Sequence, residues 1–239
     1  RFVNWVNGNR GLVATNDIQD REHNEPWPGG RTNHYLFDMN RDWLPLTQPE
    51  SKGRVSVFHY WRPQYLLDAH EMGGNSTFFF QPGIPSRNNP NTPEKGIKLA
   101  YKLAPYFAKR LDSIKSMYYS EQSYDDFYYG KGSTFGDIHG SVGILFEQGS
   151  SRSLETTTTS GKLTYAFSIR NQFMATLGNL DGLVALRKDF LNYQKSFYQT
   201  ANSEAKRNPV KGYLISLKNN RTKAQMLLRN LQNHRIKAY

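Results

Sequence analysis

Polar side chains suited to acid–base and metal chemistry stand at the ends of three apolar stretches of this sequence. They lie in "FDMNRDW" (37–43), "DAHE" (68–71) and "FEQGS" (146–150). A carboxylate such as Glu147 can take a proton from water, and an imidazole such as His70 can bind a metal ion. Glu147 belongs to an otherwise apolar stretch, where an ionised carboxylate is costly unless it is paired or protonated. That cost favours a functional role for Glu147.

These three motifs need strands that bring them to one edge of a sheet. The pattern of apolar residues running up to polar ones predicts strands at Tyr35–Asn40, Tyr65–Met72 and Gly140–Gly149. In open α/β sheets, ligands bind outside the carboxyl ends of the strands, because the loops that leave the strands enclose a crevice there. We therefore expect the three motifs to meet at one such edge.

Helices are predicted between and after these strands. Apolar residues recur at helical spacing over Glu94–Tyr118, where Pro105 is a candidate kink. A second helical pattern runs from about Gly161 to Tyr198, with a break expected near Gly178 or Gly182. Residues 8–34 and 78–93 are rich in loop-forming residues and are predicted to be loops. The alternation of strands and helices predicts an α/β layered domain.

The sequence after residue 208 has a different character. Val210–Leu217 has the pattern of a strand and Thr222–Ile236 that of an amphipathic helix. One strand and one helix cannot bury an apolar face of their own. We therefore divide the chain into a catalytic domain (1–208) and the start of an incomplete second domain (209–239).

Composition limits the classes of partner. The 31 Lys and Arg against 20 Asp and Glu give a net charge of +11, which suits an anionic partner. The basic residues are scattered, however, and the densest region, Lys188–Lys237, reads as the polar faces of helices, so we expect neither nucleic acid nor a membrane as partner. The chain has no cysteine, which excludes disulfides and thiolate ligands and leaves His, Asp and Glu for any metal.

The motifs "FDMNRDW", "DAHE" and "GILFEQG", in this order, resemble the zinc metallocarboxypeptidases of the carboxypeptidase A type, the funnelin-like metallopeptidases. The resemblance spans about residues 1–198. It implies a three-layer α/β/α fold of the phosphorylase/hydrolase-like kind, with a mixed, mostly parallel twisted sheet. It also implies that the protein removes C-terminal residues from peptides by zinc-activated water. The implied partner is a peptide with a free C-terminal carboxylate, and we expect a secreted or periplasmic protein.

The resemblance implies roles for individual residues. His70 matches a zinc ligand, and Glu147 matches the general base that deprotonates the zinc-bound water. Asn40 and Arg41 match the pair that grips the substrate carboxylate, for which the planar guanidinium is well shaped. Asp38 matches a family Asp that orients a zinc-bound histidine.

Further residues are assigned with alternatives open. Asp68 shares a strand face with His70 and is another candidate for orienting it. For the mobile tyrosine that closes over the substrate, Tyr129 is preferred to Tyr128.

The oxyanion-stabilising arginine is assigned to Arg31, with Arg21 and Arg10 as alternatives. Thr134 falls where the family sets its side-chain pocket, and a neutral residue there disfavours strict basic specificity. Asp137 lies close enough in sequence to keep basic specificity open.

One departure from the family is the absence of its H-x-x-E zinc pair. The nearest approach, His23 and Glu25, has the wrong spacing. Because "RFVNW" resembles the middle of the family domain, we expect the amino-terminal strands with two zinc ligands to be missing, and this chain alone to be inactive. A pseudoenzyme, a related zinc amidase or peptidoglycan peptidase, and a non-catalytic, basic, aromatic-rich binding module stay open as alternatives.

Overall fold

The computed structural model describes residues 2–11, 15–24, 30–216, 218 and 220–238. Its α-helices within these ranges are α1 (Phe2–Asn9), α2 (Pro49–Trp61), α3 (Glu94–Ser113), α4 (Gly132–Phe135), α5 (Tyr165–Ala185), α6 (Arg187–Arg207) and α7 (Arg221–Asn233). Its strands are β1 (Tyr65–Met72), β2 (Phe78–Phe80), β3 (Tyr118–Tyr119), β4 (Val142–Gly149), β5 (Glu155–Thr158) and β6 (Gly161–Thr164). Short 3-10 turns cover Arg21–His23, Pro85–Arg87 and Gly136–His139.

A mixed sheet of four strands in the order β1-β4-β2-β3 forms the centre of the described chain. β1 and β4 are parallel, from Tyr65 opposite Val142 to Met72 opposite Gly149. β2 runs antiparallel to β4 and parallel to β3, so two of the three strand pairs in this sheet are parallel. The class is α/β, as the strand and helix pattern predicts.

The main core lies on one face of this sheet. Alternate β4 residues Val142, Ile144 and Phe146 are buried there against residues of α3, α5 and α6. The helical side chains in this cluster are Leu99, Leu103, Phe107, Leu111, Ala175, Phe190 and Tyr193. Each large apolar side chain fully buried in this way contributes about 1.5–3 kcal/mol, so this face holds the sheet and the three helices together.

The opposite face of the sheet packs on a smaller cluster. Trp43, Leu46, Val55, Phe58 and Phe135 are buried together, with Leu66 of β1 packed against them. Side chains alternate between the faces of a strand, so Asp68 and His70, two and four positions after Leu66 on β1, lie on the same face as Leu66. The smaller cluster therefore supports the side of the sheet on which the candidate site lies.

The long predicted elements are confirmed. β1 matches Tyr65–Met72, and β4 begins two residues later than predicted. α3 ends at Ser113 and continues through Pro105 without interruption, although proline there leaves the carbonyl of Tyr101 without its usual helical donor.

The strand predicted at Tyr35–Asn40 is wrong. The segment forms turns and a single bridge between Thr32 and Asp38. Asn33 Oδ1 accepts hydrogen bonds from the backbone N–H groups of Tyr35 (3.0 Å) and Phe37 (3.1 Å), and this local side-chain bonding replaces a strand ladder.

Three other predicted elements also differ. Phe78–Phe80 is a strand rather than a loop, because pairing with β4 and β3 determines its structure. The helical pattern begins at Tyr165, after the β5–β6 hairpin, and is interrupted at Leu186 rather than at a glycine. The segment predicted as a strand at Val210–Leu217 is irregular over residues 210–216, and Leu217 lies outside the described residues, as do residues 12–14 and 25–29 of the first loop.

The carboxyl-terminal helix α7 contacts α2 and the loop before it. Asn230 Nδ2 donates to the carbonyl oxygens of Pro45 (2.6 Å) and Leu44 (3.2 Å), and a ring nitrogen of His234 lies 2.8 Å from the same Leu44 oxygen. The division of the chain at residue 208 stays a prediction. Among the described residues, none of the helices combines the length and apolar character that crossing a membrane requires.

Candidate functional site

His70 and Glu147 stand side by side near the carboxyl ends of two parallel strands. They occupy the same register position, His70 on β1 and Glu147 on β4. Both side chains project from the sheet face that also carries Asp68, because residues two apart share a face. The sheet therefore brings together the imidazole and the carboxylate that the sequence singled out.

A hydrogen-bonded cluster holds the ring of His70. Its Nε2 lies 2.7 Å from Asp68 Oδ1 and 2.8 Å from Asn40 Nδ2. The amide of Asn40 is oriented by Gly132, whose N–H donates to Asn40 Oδ1 at 2.8 Å, and its NH₂ group donates to Asp68 Oδ2 at 3.0 Å. The contact with Asp68 requires a proton on Nε2, whereas a hydrogen bond from the Asn40 NH₂ group requires a lone pair there, so the two contacts belong to different protonation states of the ring. In the neutral ring whose Nε2–H donates to Asp68, Nδ1 carries the lone pair, which is the arrangement that a carboxylate imposes on metal-binding histidines.

The hydrogen bonds of this cluster shift the pKa values of His70 and Asp68 in opposite directions. The hydrogen bond with Asp68 raises the pKa of His70 above its usual value, against the effect of burial. Burial raises the pKa of Asp68, but the hydrogen bonds from His70, Asn40 and the Ser133 N–H outweigh burial and hold this pKa below its usual value. Asp68 is therefore an ionised, oriented acceptor for the histidine.

The pKa of Glu147 is raised, in contrast to that of Asp68. Burial raises the pKa of Glu147 to about 7, while His70 and Arg31 oppose the shift. Phe79 lies in register beside Glu147 on β2. The Oε2 atom of Glu147 is buried and has no hydrogen-bond partner among the described residues. A carboxylate with a pKa near neutrality suits a general base that must both accept and return a proton.

The loop before α2 places arginines beside the cluster. Arg31 Nε lies 3.0 Å from Asp38 Oδ2, and the charge of Arg31 acts on both His70 and Glu147. Of the three arginines considered for oxyanion stabilisation, Arg31 is the one that the structure brings to this pair. Arg41 is exposed, and its Nη1 donates to the Asn40 carbonyl at 2.7 Å.

The two candidate tyrosines differ in position. Tyr128 donates its hydroxyl to the Arg41 carbonyl at 3.1 Å. The Tyr129 hydroxyl lies 2.9 Å from Thr92 Oγ1. Thr134 is fully buried and donates to the Tyr128 carbonyl at 2.6 Å. The structure thus brings Tyr128 rather than Tyr129 next to Arg41, and Thr134 supports the backbone of that tyrosine.

Asp137 is buried beneath β4 and is not exposed to a substrate. Its Oδ1 accepts the Gly143 N–H at 3.0 Å. Burial and the neighbouring carboxylate of Asp126 raise the pKa of Asp137 well above its usual value, and burial raises the pKa of Asp126 to about 6. Asp137 is therefore a buried group that accepts a backbone hydrogen bond rather than an exposed charge that selects basic side chains.

The residues around His70 do not by themselves fit a catalytic zinc ion, which normally takes three protein ligands. His70 is the one imidazole there, and neighbouring carboxylates do not converge with it on a common point in the part of the chain described. His23, considered above with Glu25, is 3.0 Å from the Thr15 carbonyl through Nε2, and Glu25 lies outside the described residues.

Two further features lie apart from His70 and Glu147. A cavity of about 210 Å³ lies beside Glu71, on the opposite face of β1 from His70, and is also lined by His23, Tyr165 and residues 150–154. Three histidines distant in sequence, His59, His139 and His234, converge elsewhere in the molecule. No local spacing signals that second cluster.

Comparisons with known proteins add one structural similarity. No protein-family model matches the sequence. No curated protein matches it either. Among solved structures, the chain is similar to a metallo-carboxypeptidase from Burkholderia cenocepacia, with a TM-score of 0.45 and 15% sequence identity over 71% of this chain. The match covers 40% of that structure's chain.

Proposed function

We propose that this chain carries the substrate-gripping and general-base part of a zinc-dependent metallocarboxypeptidase, a hydrolase that removes C-terminal residues from peptides. The supporting observation is the meeting of His70, Glu147 and Asn40 at the carboxyl edge of two parallel strands. That edge of an α/β sheet is where ligands bind. A three-layer α/β/α arrangement belongs to the same proposal.

Glu147 is the proton acceptor for the attacking water in this function. Its pKa of about 7 leaves it partly ionised near neutral pH, so it can take a proton from water. The resulting carboxylic acid can then return that proton to the leaving amine. Its Oε2 is buried and has no hydrogen-bond partner among the described residues, so the carboxyl is not held by a protein donor at that oxygen.

Arg41 and Asn40 bind the substrate's C-terminal carboxylate, and Asn40 does so by exchanging its contact with Asp68 or His70 for the substrate. Arg41 is exposed and uses Nη1 to donate to the Asn40 carbonyl, so the rest of its guanidinium can form a two-point contact with a planar carboxylate. Tyr128 holds the Arg41 backbone in place through its hydroxyl. Arg31 is positioned to stabilise negative charge developing near Glu147 and His70, once substrate competes with Asp38 for its guanidinium.

Zinc binding at His70 requires two further ligands that the described residues do not supply. His70 would be one ligand through Nδ1, with Asp68 orienting the ring through Nε2. We therefore assign the activity to a protein that contains the additional ligands and expect this chain alone to be inactive.

Peptide hydrolysis by the full-length gene product tests this function. Peptides with a free C-terminal carboxylate should be cleaved, and the same peptides with an amidated C-terminus should not. Arg41→Ala should lower kcat/KM for free-carboxylate peptides by about 100-fold, because it removes a charge-assisted bidentate contact. Arg187→Ala, a change at an exposed arginine at the start of α6, is the matched control and should leave kcat/KM unchanged.

Equal cleavage of free and amidated peptides would contradict the proposed substrate recognition. Including N-acyl amino acids and peptidoglycan stem peptides in the panel separates a peptidase from the amidase and cell-wall alternatives. Salt-sensitive binding to nucleic acid without hydrolysis would support the binding-module alternative.

A further inference from the structure

Three histidines from separate parts of the chain converge at the junction of α2, α4 and α7. His59 lies in the last turn of α2, His139 ends the 3-10 turn Gly136–His139, and His234 is the C-cap residue of α7. One ring nitrogen from each lies within 4.8 Å of the other two. His234 is only 8% exposed, and the other two rings are half-buried.

Two ring nitrogens in this cluster lack a hydrogen-bond partner among the described residues. Nε2 of His59 and Nε2 of His139 are both buried and have no hydrogen-bond partner among the described residues. Nε2 of His234 lies 2.8 Å from the Leu44 carbonyl, so it carries the proton and Nδ1 keeps the lone pair. A backbone carbonyl that fixes the second nitrogen in this way is the usual support of a metal-binding imidazole. Buried polar atoms without partners call for an ordered water or an ion.

Aromatic packing alone does not account for the cluster. Phe135 packs on His139 with ring centroids 4.6 Å apart and on His234 at 5.8 Å, and Phe58 packs on His139 at 5.5 Å. These contacts explain why the rings are removed from water. They do not require a ring nitrogen of each histidine to lie within 4.8 Å of the other two, since an imidazole packed only for shape needs a hydrogen-bond donor and an acceptor of its own. Burial also lowers the pKa of His59 to about 4, and that of His139 likewise to about 4.

We propose that His59, His139 and His234 form a binding site for a divalent transition metal ion, with zinc as the reference ion. Imidazole nitrogens are ligands that zinc, copper and nickel all accept. Zinc binds imidazole at about 2.0–2.1 Å, so a tetrahedral site brings the nitrogens about 3.3 Å apart, and the rings must close by at most about 1.5 Å. The positive charges of Arg62 and Arg235 act on His59 and oppose a bound cation, so the site needs an anion such as hydroxide or chloride as the fourth ligand to offset them.

A metal at this site links α7 to the rest of the molecule. The segment between α6 and α7 is exposed throughout its described residues, and the side-chain hydrogen bonds described above tie α7 to the loop before α2. Coordination would add a connection from residue 234 to residues 59 and 139. The ligands are separate from His70 and Glu147, so this site does not depend on the proposed catalytic function.

Zinc and cobalt binding to the whole chain tests the site. Titration followed by calorimetry and metal analysis should show one bound Zn²⁺, and Co²⁺ should give visible absorption typical of a low-coordinate site. His59→Gln, His139→Gln and His234→Gln should each weaken binding by at least about 100-fold, because each removes a ligand. His34→Gln, an exposed histidine outside the cluster, is the matched control, and His70→Gln tests for metal bound near Glu147 instead.

Protease protection gives a second readout that does not rely on affinity. Zinc should protect the segment between α6 and α7 from cleavage in the wild type and in His34→Gln, and should give no protection in His234→Gln. Circular dichroism of the metal-free variants checks that each is folded, and His234→Gln, at the end of the last helix, is the variant least disruptive to the core. Absence of zinc binding, or binding that is lost only in His70→Gln, would overturn the proposal.

Discussion

Glu147 is the residue on which the proposed chemistry depends, and its burial has a measurable cost. A carboxyl whose ordinary pKa is near 4.5 reaches about 7 in the folded chain, mainly because burial disfavours its charge. Between these two values the native state holds a proton that the unfolded state has lost. Stability is therefore lost as the pH rises through this range.

Glu147→Gln should remove this penalty. The variant should be about 1–2 kcal/mol more stable than the wild type at pH 8 and nearly unchanged at pH 4, below both pKa values; the gain is less than the full linkage value because the side chain is partly solvated. Urea denaturation at both pH values measures the difference. Glu71→Gln is the matched control, since Glu71 is exposed on the opposite face of β1, and it should show no pH-dependent gain. An equal gain from Glu147→Gln at both pH values would contradict the burial of an ionisable carboxyl.

The site residues can be predicted from the sequence more completely than the contacts they make. Asp68, His70 and Glu147 were found because polar groups at the ends of apolar strands are unusual, and parallel pairing brings such ends together. The contact of Asn40 with His70 was not predictable, because Asn40 reaches it from a turn held by Asn33 rather than from a strand. The cluster of His59, His139 and His234 gave no signal at all, since its members are separated by about 80 and 95 positions in the sequence.

At the scale of elements, the contact between α3 and α5 depends on two glycines. Gly178 and Gly182 of α5 lie against Tyr106 and Leu103 of α3. A Cβ added at Gly178 would lie 2.5 Å from the Tyr106 carbonyl oxygen, which is a backbone atom and cannot move without shifting α3. These residues were predicted as a helix break because glycine is a poor helix former, but the close approach of the two helices requires them.

Gly178→Ala should destabilise the fold by about 1–3 kcal/mol, because it forces the two helices apart. Gly53→Ala, in α2, is the matched control: a Cβ there meets nothing within 4 Å, so the change should stabilise the fold by about 0.5–1 kcal/mol. Thermal and urea denaturation of both variants measure these effects. A neutral or stabilising effect of Gly178→Ala would contradict the close packing of α3 on α5.

The long strands and helices can be predicted from the sequence, whereas the shortest strands cannot. β1, β4 and α3 have apolar patterns long enough to define their period. β2 and β3 are only three and two residues long, and they exist because β2 pairs with β4 and β3 pairs with β2. Such short strands are determined by distant neighbours, which a local pattern does not contain.

At the scale of the whole molecule, the sheet separates a packed face from a chemical face. Phe146 projects into the main core, while Glu147 and His70 project toward the side supported by Trp43, Phe58 and neighbouring side chains. The parallel pairing of β1 with β4 therefore also aligns Glu147 with His70. The carboxyl-terminal helix is attached on this second side through the loop before α2.

Turnover by the full-length gene product carrying Glu147→Gln is the most direct test of the central claim. The account predicts that kcat for release of a C-terminal residue falls by at least about 100-fold, as expected for loss of a general base, while bound zinc is unchanged. Glu71→Gln should keep wild-type turnover. Wild-type turnover in Glu147→Gln would contradict the assignment of Glu147 as the base and, with it, the proposed reaction centre.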